Sequence, residues 1–315
     1  GQPVAFSAAT RGEELVNEVK KIQDGQVLLV QNTRYEKGEE KNDESLASSW
    51  ASFADGFVMD AFGSAHRAHA STVGLPQILK NEGKFVAEGY LVEKEVNALS
   101  KCVNPTEKER PYIAVLGGFK VSDKIKVIES LLKITDKILI GGAMAYTFLK
   151  ALGFKVGASP VEEDQLEYAK KCFETGKILL PVDNVISNDF NEANEERIIK
   201  TVLVKNGIPD GFEGLDIGPK TIKLYSKELK KAKMVFWNGP MGVFEQKAFQ
   251  NGTIAICKAI TSIKDAFTVI GGGDSASAAK QFGYKDKFSH VSTGGGASLE
   301  MIENEGHLPG IDVLK

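Results

Sequence analysis

The feature that most restricts this chain is a unit that returns at least four times after Pro111: a short apolar run, two or three glycines, then an amphipathic stretch. YIAVLGG leads into a helix expected over 121–132, KILIGG into 144–152, FTVIGGG into 274–282 and HVSTGGG into 297–302. A fifth run, MVFW, ends in NGPMGVFE. Runs of this kind, alternating with helices, are the pattern of a parallel α/β sheet. In such a sheet every strand-to-helix turn lies at the carboxyl edge, so the glycines gather on one rim, where a ligand would bind.

Upstream, VAFSA from Val4 and VLLV from Val27 flank Leu15, Val16, Val19 and Ile22, which share one helical face, giving strand, helix, strand. FVMDAF from Phe57 reads as another strand and runs into the polar turn GSAHRAHAST. Helical periodicity over Tyr90–Val103 is followed by a charged, proline-bounded break, NPTEKERP. A chain of 315 residues favours two domains. The expected division is a first domain over 1–89, an interdomain helix over 90–103, a second domain over 104–300, and a segment over 301–315 that returns toward the first.

Composition narrows the function classes. With 42% hydrophobic and 26% charged residues the chain is an ordinary globular one. A formal charge of -3 offers no global field for nucleic acid or an anionic membrane, so anion binding must come from locally placed Lys and Arg. Cys102, Cys172 and Cys257 lie far apart with no CxxC spacing, against a disulfide framework or zinc site and in favour of a reducing, cytoplasmic setting. No apolar run reaches membrane-spanning length, and nothing before Leu15 has a signal-peptide layout. The chain begins at Gly1 without an initiator Met, which leaves its N-terminus open.

Glycine after a buried strand permits close backbone approach, and the next helix offers N–H groups and the positive end of its dipole to an anion. One such turn can be mere tight packing, whereas four on one rim suggest a polyphosphate cradle. In GGFKVSDK, Lys120 follows Gly117 and Gly118, with Lys124 four residues on, expected on the same face of the opening helix. Lys126 and Lys133 read as solvated. In GGGDSASAA, Asp274 could cap its helix or could hold a phosphate-bound Mg2+, and the two roles are compatible. KGEEKND from Lys37 reads as a solvated charged loop, and HRAH, with no Cys nearby, lacks a metal shell. No GxxxxGK[ST], GxGxxG, HRD or DFG motif occurs, which counts against P-loop enzymes, protein kinases and an NAD-dependent dehydrogenase.

Taken in order, NTRYEKGEEKND, DAFGSAHRAHAST, GGFKVSDK, GLDIGPKT, WNGPMGVFE, IGGGDSASA and SHVSTGGGASLE resemble the successive signatures of the phosphoglycerate kinase family, from about Pro3 to the last residues. The resemblance implies two Rossmann-like, three-layer α/β domains with parallel sheets, one for nucleotide and one for phosphoglycerate. It implies reversible phosphoryl transfer from 1,3-bisphosphoglycerate to ADP, giving 3-phosphoglycerate and ATP, with Mg2+, in a monomer. Lys120 would support the moving phosphoryl group and Lys124 the nucleotide phosphates. Gly118 and Phe119 would border the nucleotide, Gly141 and Gly142 the adenine side, Asn238, Gly239, Pro240 and Val243 a nucleotide loop, and Glu245 the ribose. Leu215 and Gly218 fall in the matching GLDIGP loop. Asp274 would associate with magnesium, and Gly272, Gly273, Ser275, Gly295 and Gly296 would supply backbone donors. Arg34, Arg67 and His66 would bind the acid substrate.

The sequence also departs from the family. The RVDFNVP-like and SHLGRP-like motifs are missing, so the first sheet is expected to be incomplete, and a catalytically silent nucleotide-binding chain stays open as an alternative. Phe119 and Ala143 stand where the family has a small residue and a third glycine, and the phenylalanine is expected to narrow the adenine slot.

Overall fold

The computed structural model describes all 315 residues, which divide into two compact units, Gly1–Asn97 with His307–Lys315, and Ala98–Gly306.

In the first unit, β1 (Val4–Ser7), α1 (Gly12–Val19) and β2 (Val27–Val30) form one parallel pair. After α2 (Glu44–Ala51), β3 (Gly56–Met59), α3 (Leu75–Asn81) and β4 (Phe85–Glu88) form a second, and α4 (Tyr90–Val103) leaves the unit. The two pairs are separate two-stranded sheets. Val4, Phe6 and Leu29 are each more than half exposed, so these strands have little packing on their outer face. The core lies instead where Leu15 meets Leu46, Ala47 and Trp50. The Trp50 indole N–H donates to Thr10 O at 2.8 Å, satisfying its polar edge. Ile22, expected on the face of α1, lies beyond its end, and β4 carries a strand that the sequence pattern did not reveal.

The second unit begins with β5 (Tyr112–Leu116), α5 (Ile125–Ile134), β6 (Lys137–Ile140), α6 (Met144–Ala151), α7 (Leu166–Glu174) and β7 (Ile178–Leu179). It continues through β8 (Asp183–Ser187), β9 (Ile199–Leu203), β10 (Glu213–Ile217), α8 (Pro219–Leu229), β11 (Met234–Asn238), α9 (Asn251–Thr261), β12 (Phe267–Ile270), α10 (Gly273–Gln281), β13 (His290–Val291) and α11 (Gly295–Glu303). A short α12 (Pro309–Asp312) belongs to the first unit, where Gly310 N–H donates to Ala65 O at 2.9 Å.

Six strands form one parallel sheet in the order β13-β12-β11-β5-β6-β7. Every residue of β5 and β11 is buried, as strands covered on both faces must be. One face packs Ile113, Val115, Val235 and Trp237 against Tyr225 and Leu229 of α8 and Ile256 and Ile260 of α9. The glycine turns all leave the carboxyl edge, as the repeating unit predicted.

The structure adds what parallel grammar did not contain, an antiparallel sheet in the order β10-β8-β9. Its middle strand, β8, also closes a helix. Buried Asp183 accepts Lys220 N–H at 2.9 Å, Thr221 N–H at 2.7 Å and the Thr221 hydroxyl at 2.7 Å, capping α8 from a separate strand. Asp183→Ala strands these buried donors and is expected to cost about 2–4 kcal/mol. Chemical denaturation reads it as a lowered midpoint, with Asp183→Asn intermediate.

Candidate functional site

The turns after β5, β6 and β11 interlock. Gly117 N–H donates to Asn238 O at 2.8 Å, Gly118 N–H to Pro240 O at 3.2 Å, and Gly142 N–H to Met241 O at 3.0 Å. A Cβ on Gly117 would lie 1.9 Å from Pro240 O, and one on Gly142, whose φ is +65°, would lie 2.5 Å from Gly118 N. Only glycine allows this approach. These glycines therefore serve the packing of turn on turn, the plain reading of such motifs, as well as any ligand.

Several helix starts on this rim are already closed by carboxylates. Glu162 accepts Val121 N–H at 2.5 Å and Ser122 N–H at 3.2 Å, ahead of α5. Asp216 accepts Gly252 N–H at 2.7 Å at the start of α9, and burial pushes its carboxyl up to about 7 against that bond and the one from Ile217 N–H. By contrast, no side chain caps α10 or α11, whose first backbone bonds run from Ala276 N–H to Gly272 O and from Ser298 N–H to Gly294 O. Their starts abut, since a Cβ on Gly295 would lie 3.0 Å from Gly273 N. Two open helix starts thus present N–H groups to one place.

That place is one lobe of a larger depression. A cavity of about 400 Å³ is lined by Lys120, Asp123, Lys124, Asn238, Gly239, Gly272, Gly273, Asp274, Ser275, Gly295 and Gly296. A second, of about 260 Å³, is bordered by Tyr146, Phe190, Leu215, Pro240, Val243, Glu213 and Glu245, with Gly142 and Ala143. Gly118, Phe119 and Asp274 line both, so a mainly apolar lobe joins a cationic, amide-rich one.

Lys120 and Lys124 reach the polar lobe by a route other than the expected shared helix face. A 3-10 turn spans Ser122–Lys124 and α5 begins only at Ile125, so Lys120 precedes any helix. The Lys124 ammonium donates to Asn238 Oδ1, and Asn238 Nδ2 donates to Gly271 O. Burial pushes Lys124 down to about 8, with Asp274 and Asp123 pulling it back up. Lys120 is exposed. Asp274 is also exposed, and of its two expected roles capping is not taken up. The buried Ser275 hydroxyl accepts Gly239 N–H at 2.6 Å, so its side chain is committed to the turn after β11.

Two expected residues stay outside. Gly141 packs on Met241, and Gly218 sits over the Asp183 carboxylate, where a Cβ would lie 2.3 Å from Cγ. Tyr146, Phe190 and Glu213 were missed. Phe190 and Glu213 come from the antiparallel sheet region, which carries no local motif. Phe119, 65% exposed, stands on the wall shared by the lobes.

Arg34, His66 and Arg67 lie in the first unit. Arg34 is exposed and 3.8 Å from Glu40, and Arg67 is exposed beside partly buried His66. KGEEKND is not wholly solvated as expected, because Glu39 is buried. Its carboxylate accepts Ser71 N–H at 2.9 Å and the Thr33 hydroxyl at 3.3 Å, and its backbone O accepts Ala70 N–H at 2.9 Å. Glu39 thereby ties the Arg34 segment to the residues after Arg67. No group of three or more His, Cys, Asp or Glu side chains is placed to hold a metal ion without other ligands.

A parallel sheet whose carboxyl rim joins an apolar lobe to open helix starts defines a doubly wound α/β protein with an anion-receiving site. The phosphoglycerate kinase family model matches residues 1–305. The phosphoglycerate kinase of Enterococcus faecalis is 53% identical over 319 residues, covering 99% of this chain and 77% of the relative. That of Thermosipho africanus is 52% identical over 318 residues, covering 99% and 76%. The structure of phosphoglycerate kinase from Coxiella burnetii matches with a TM-score of 0.87 at 36% identity, covering 99% of this chain and 77% of that one. The phosphoglycerate kinase of Pyrococcus horikoshii OT3 matches with a TM-score of 0.84 at 32% identity, covering 99% and 78%. The chain belongs to the phosphoglycerate kinase family, and is with it a phosphotransferase of the kinase class.

Lys124 gives the polar lobe a pH dependence. Its charge is complete well below about 8, half lost at that value and gone well above it. ADP affinity is therefore expected to be flat below about pH 8 and to fall by up to about tenfold per pH unit above it. Titration calorimetry across pH 6.5–9.5 checks this, with Lys124→Met weaker at neutral pH and lacking the break.

Proposed function

We propose that this chain transfers the acyl phosphate of 1,3-bisphosphoglycerate to ADP, reversibly, giving 3-phosphoglycerate and ATP. The observation that carries the reading is the joined pair of lobes, apolar at Tyr146, Leu215 and Val243 and rich in donors at Lys120, Lys124 and the starts of α10 and α11. Base and ribose occupy the first lobe, against Gly118, Phe119, Gly142, Leu215, Pro240 and Val243, with Glu245 toward the ribose. Lys124, held by Asn238, meets the nucleotide phosphates.

Phosphoryl transfer of this kind leaves little covalent work to the protein, so catalysis is positioning and charge compensation. The charge spreads over the oxygens of the moving group. In this reading Lys120 and the backbone N–H groups at Gly272, Gly273, Ser275, Gly295 and Gly296 stabilise it, and fixed amides need no reorganisation to do so. Mg2+, when bound with the nucleotide, neutralises phosphate charge, and Asp274 is the residue that would hold it. The fit is chemical: a hard oxygen donor, exposed, in the first turn of α10 and uncommitted to a cap. In the first unit, Arg34 and Arg67 with His66 bind the acid substrate, arginine suiting phosphate through its forked donors. In this reading the enzyme is a cytoplasmic monomer that needs neither nucleic acid nor membrane.

The test mixes the chain with ATP, Mg2+ and 3-phosphoglycerate and follows ADP formation. Turnover is expected, and Lys120→Ala is expected to lower it by about two to three orders of magnitude. Full turnover in that variant overturns the Lys120 assignment, and no ADP formation by the parent chain overturns the activity.

A further inference from the structure

Glu162 lies between α6 and α7, 41 residues beyond Val121, yet its carboxylate closes the backbone that carries Lys120. One oxygen accepts Val121 N–H at 2.5 Å and Ser122 N–H at 3.2 Å, and the other accepts the Ser122 hydroxyl. The N–H of Glu162 in turn donates to Thr147 Oγ1 on α6 at 3.2 Å. Because α6 also supplies Tyr146 to the apolar lobe, the clamp ties the Lys120 loop to the helix beside that lobe.

Lys120 is exposed, and neither a hydrogen bond nor an ion pair holds its ammonium. Its direction is therefore set by backbone on either side. Before it, Gly118 N–H donates to Pro240 O and Gly118 O accepts Met144 N–H. After it, Val121 is buried and its N–H is held by Glu162. Charged acceptors on backbone N–H groups are among the stronger hydrogen bonds, and this one meets two consecutive N–H groups and a hydroxyl at once. It also supplies an internal anion at the start of this segment, whereas the N–H groups at the starts of α10 and α11 have no side-chain acceptor.

We propose that Glu162 is a positioning residue for phosphoryl transfer: its carboxylate fixes Val121 and Ser122 and so aims Lys120 at the terminal phosphate of a nucleoside triphosphate. This rests on the role proposed for Lys120. All the groups involved lie in the second unit, so nucleotide binding by the full chain reads the effect without any acid substrate.

Calorimetric titration with Mg-ATP and with Mg-ADP gives an affinity ratio that reports the one phosphate by which they differ. Glu162→Ala is expected to weaken ATP about tenfold and ADP less than about threefold, and Glu162→Gln, which keeps an acceptor oxygen, to recover most of the loss. Lys120→Ala should change the ratio similarly, and adding Glu162→Ala to it should change the ratio no further. A Glu162→Ala chain that shifts both affinities equally, or neither, overturns the proposal, as does a double variant whose effects add. If the alanine variant does not fold, Glu162→Asp, which keeps the charge but withdraws it by one methylene, should weaken ATP severalfold while sparing ADP. Equal shifts, or none, overturn the proposal there too. A ratio unmoved by Lys120→Ala overturns the Lys120 role and this inference with it, whereas a ratio moved by Lys120→Ala alone overturns only the part given to Glu162.

Discussion

Three strand ends in the second unit meet more closely than any side chain would permit, and the site is assembled on that contact. The 1.9 Å that would separate a Cβ on Gly117 from Pro240 O leaves no room for compromise. With Gly142 and Gly118 in the same interlock, the turns after β5, β6 and β11 become one rigid platform. From it, Lys124 reaches Asn238, and Gly239 reaches the Ser275 hydroxyl on α10. The polar lobe is thus held by bonds between turns that are distant in sequence, and buried strands on either side resist any slippage.

A second principle organises the rim. Every helix start carries unpaired N–H groups and a partial positive charge, and each must be answered by something. Asp183 answers for α8, Asp216 for α9 and Glu162 for the segment leading into α5. At α10 and α11 no side chain accepts these N–H groups, and Asp274 in the first turn of α10 stays exposed without capping it. Where those N–H groups stay open, the arrangement suits a ligand's phosphate, and the lysines that border the same lobe add to that preference. The carboxylates are as much a part of this selectivity as the glycines, because they close starts that would otherwise compete.

Much of this was legible in the residues. The repeating strand, glycine and helix unit specified the parallel sheet and its rim, because fully apolar runs need cover on both faces and each glycine turn must leave the same edge. The α4 boundaries, Tyr90–Val103, followed from periodicity and a proline-bounded break. The antiparallel sheet was not legible, since its strands lack a glycine signature and their partners lie far along the chain. Nor was Glu39, whose charged neighbours suggest solvent until the fold buries it against Ser71 and Thr33. Lys120 and Lys124 do line one lobe, but not from a shared helix face as their spacing suggests, because α5 begins only at Ile125.

By itself, then, the order of residues determined the family, the sheet and the set of glycines and lysines gathered at its edge, because local periodicity and long motifs are properties of the chain. Tertiary structure alone decided which helix starts stay open, that Asn238 engages Lys124, that Gly141 and Gly218 fall outside the lobes, and that Phe190 and Glu213 complete one of them. Those outcomes depend on groups from 36 to more than 100 residues apart meeting across turns, as in the 36-residue span from Asp216 to Gly252, the 41-residue span from Val121 to Glu162 and the 114-residue span from Lys124 to Asn238. A linear pattern carries no distance of that kind, since hydrogen bonds and burial are settled only when the sheet has brought the partners together.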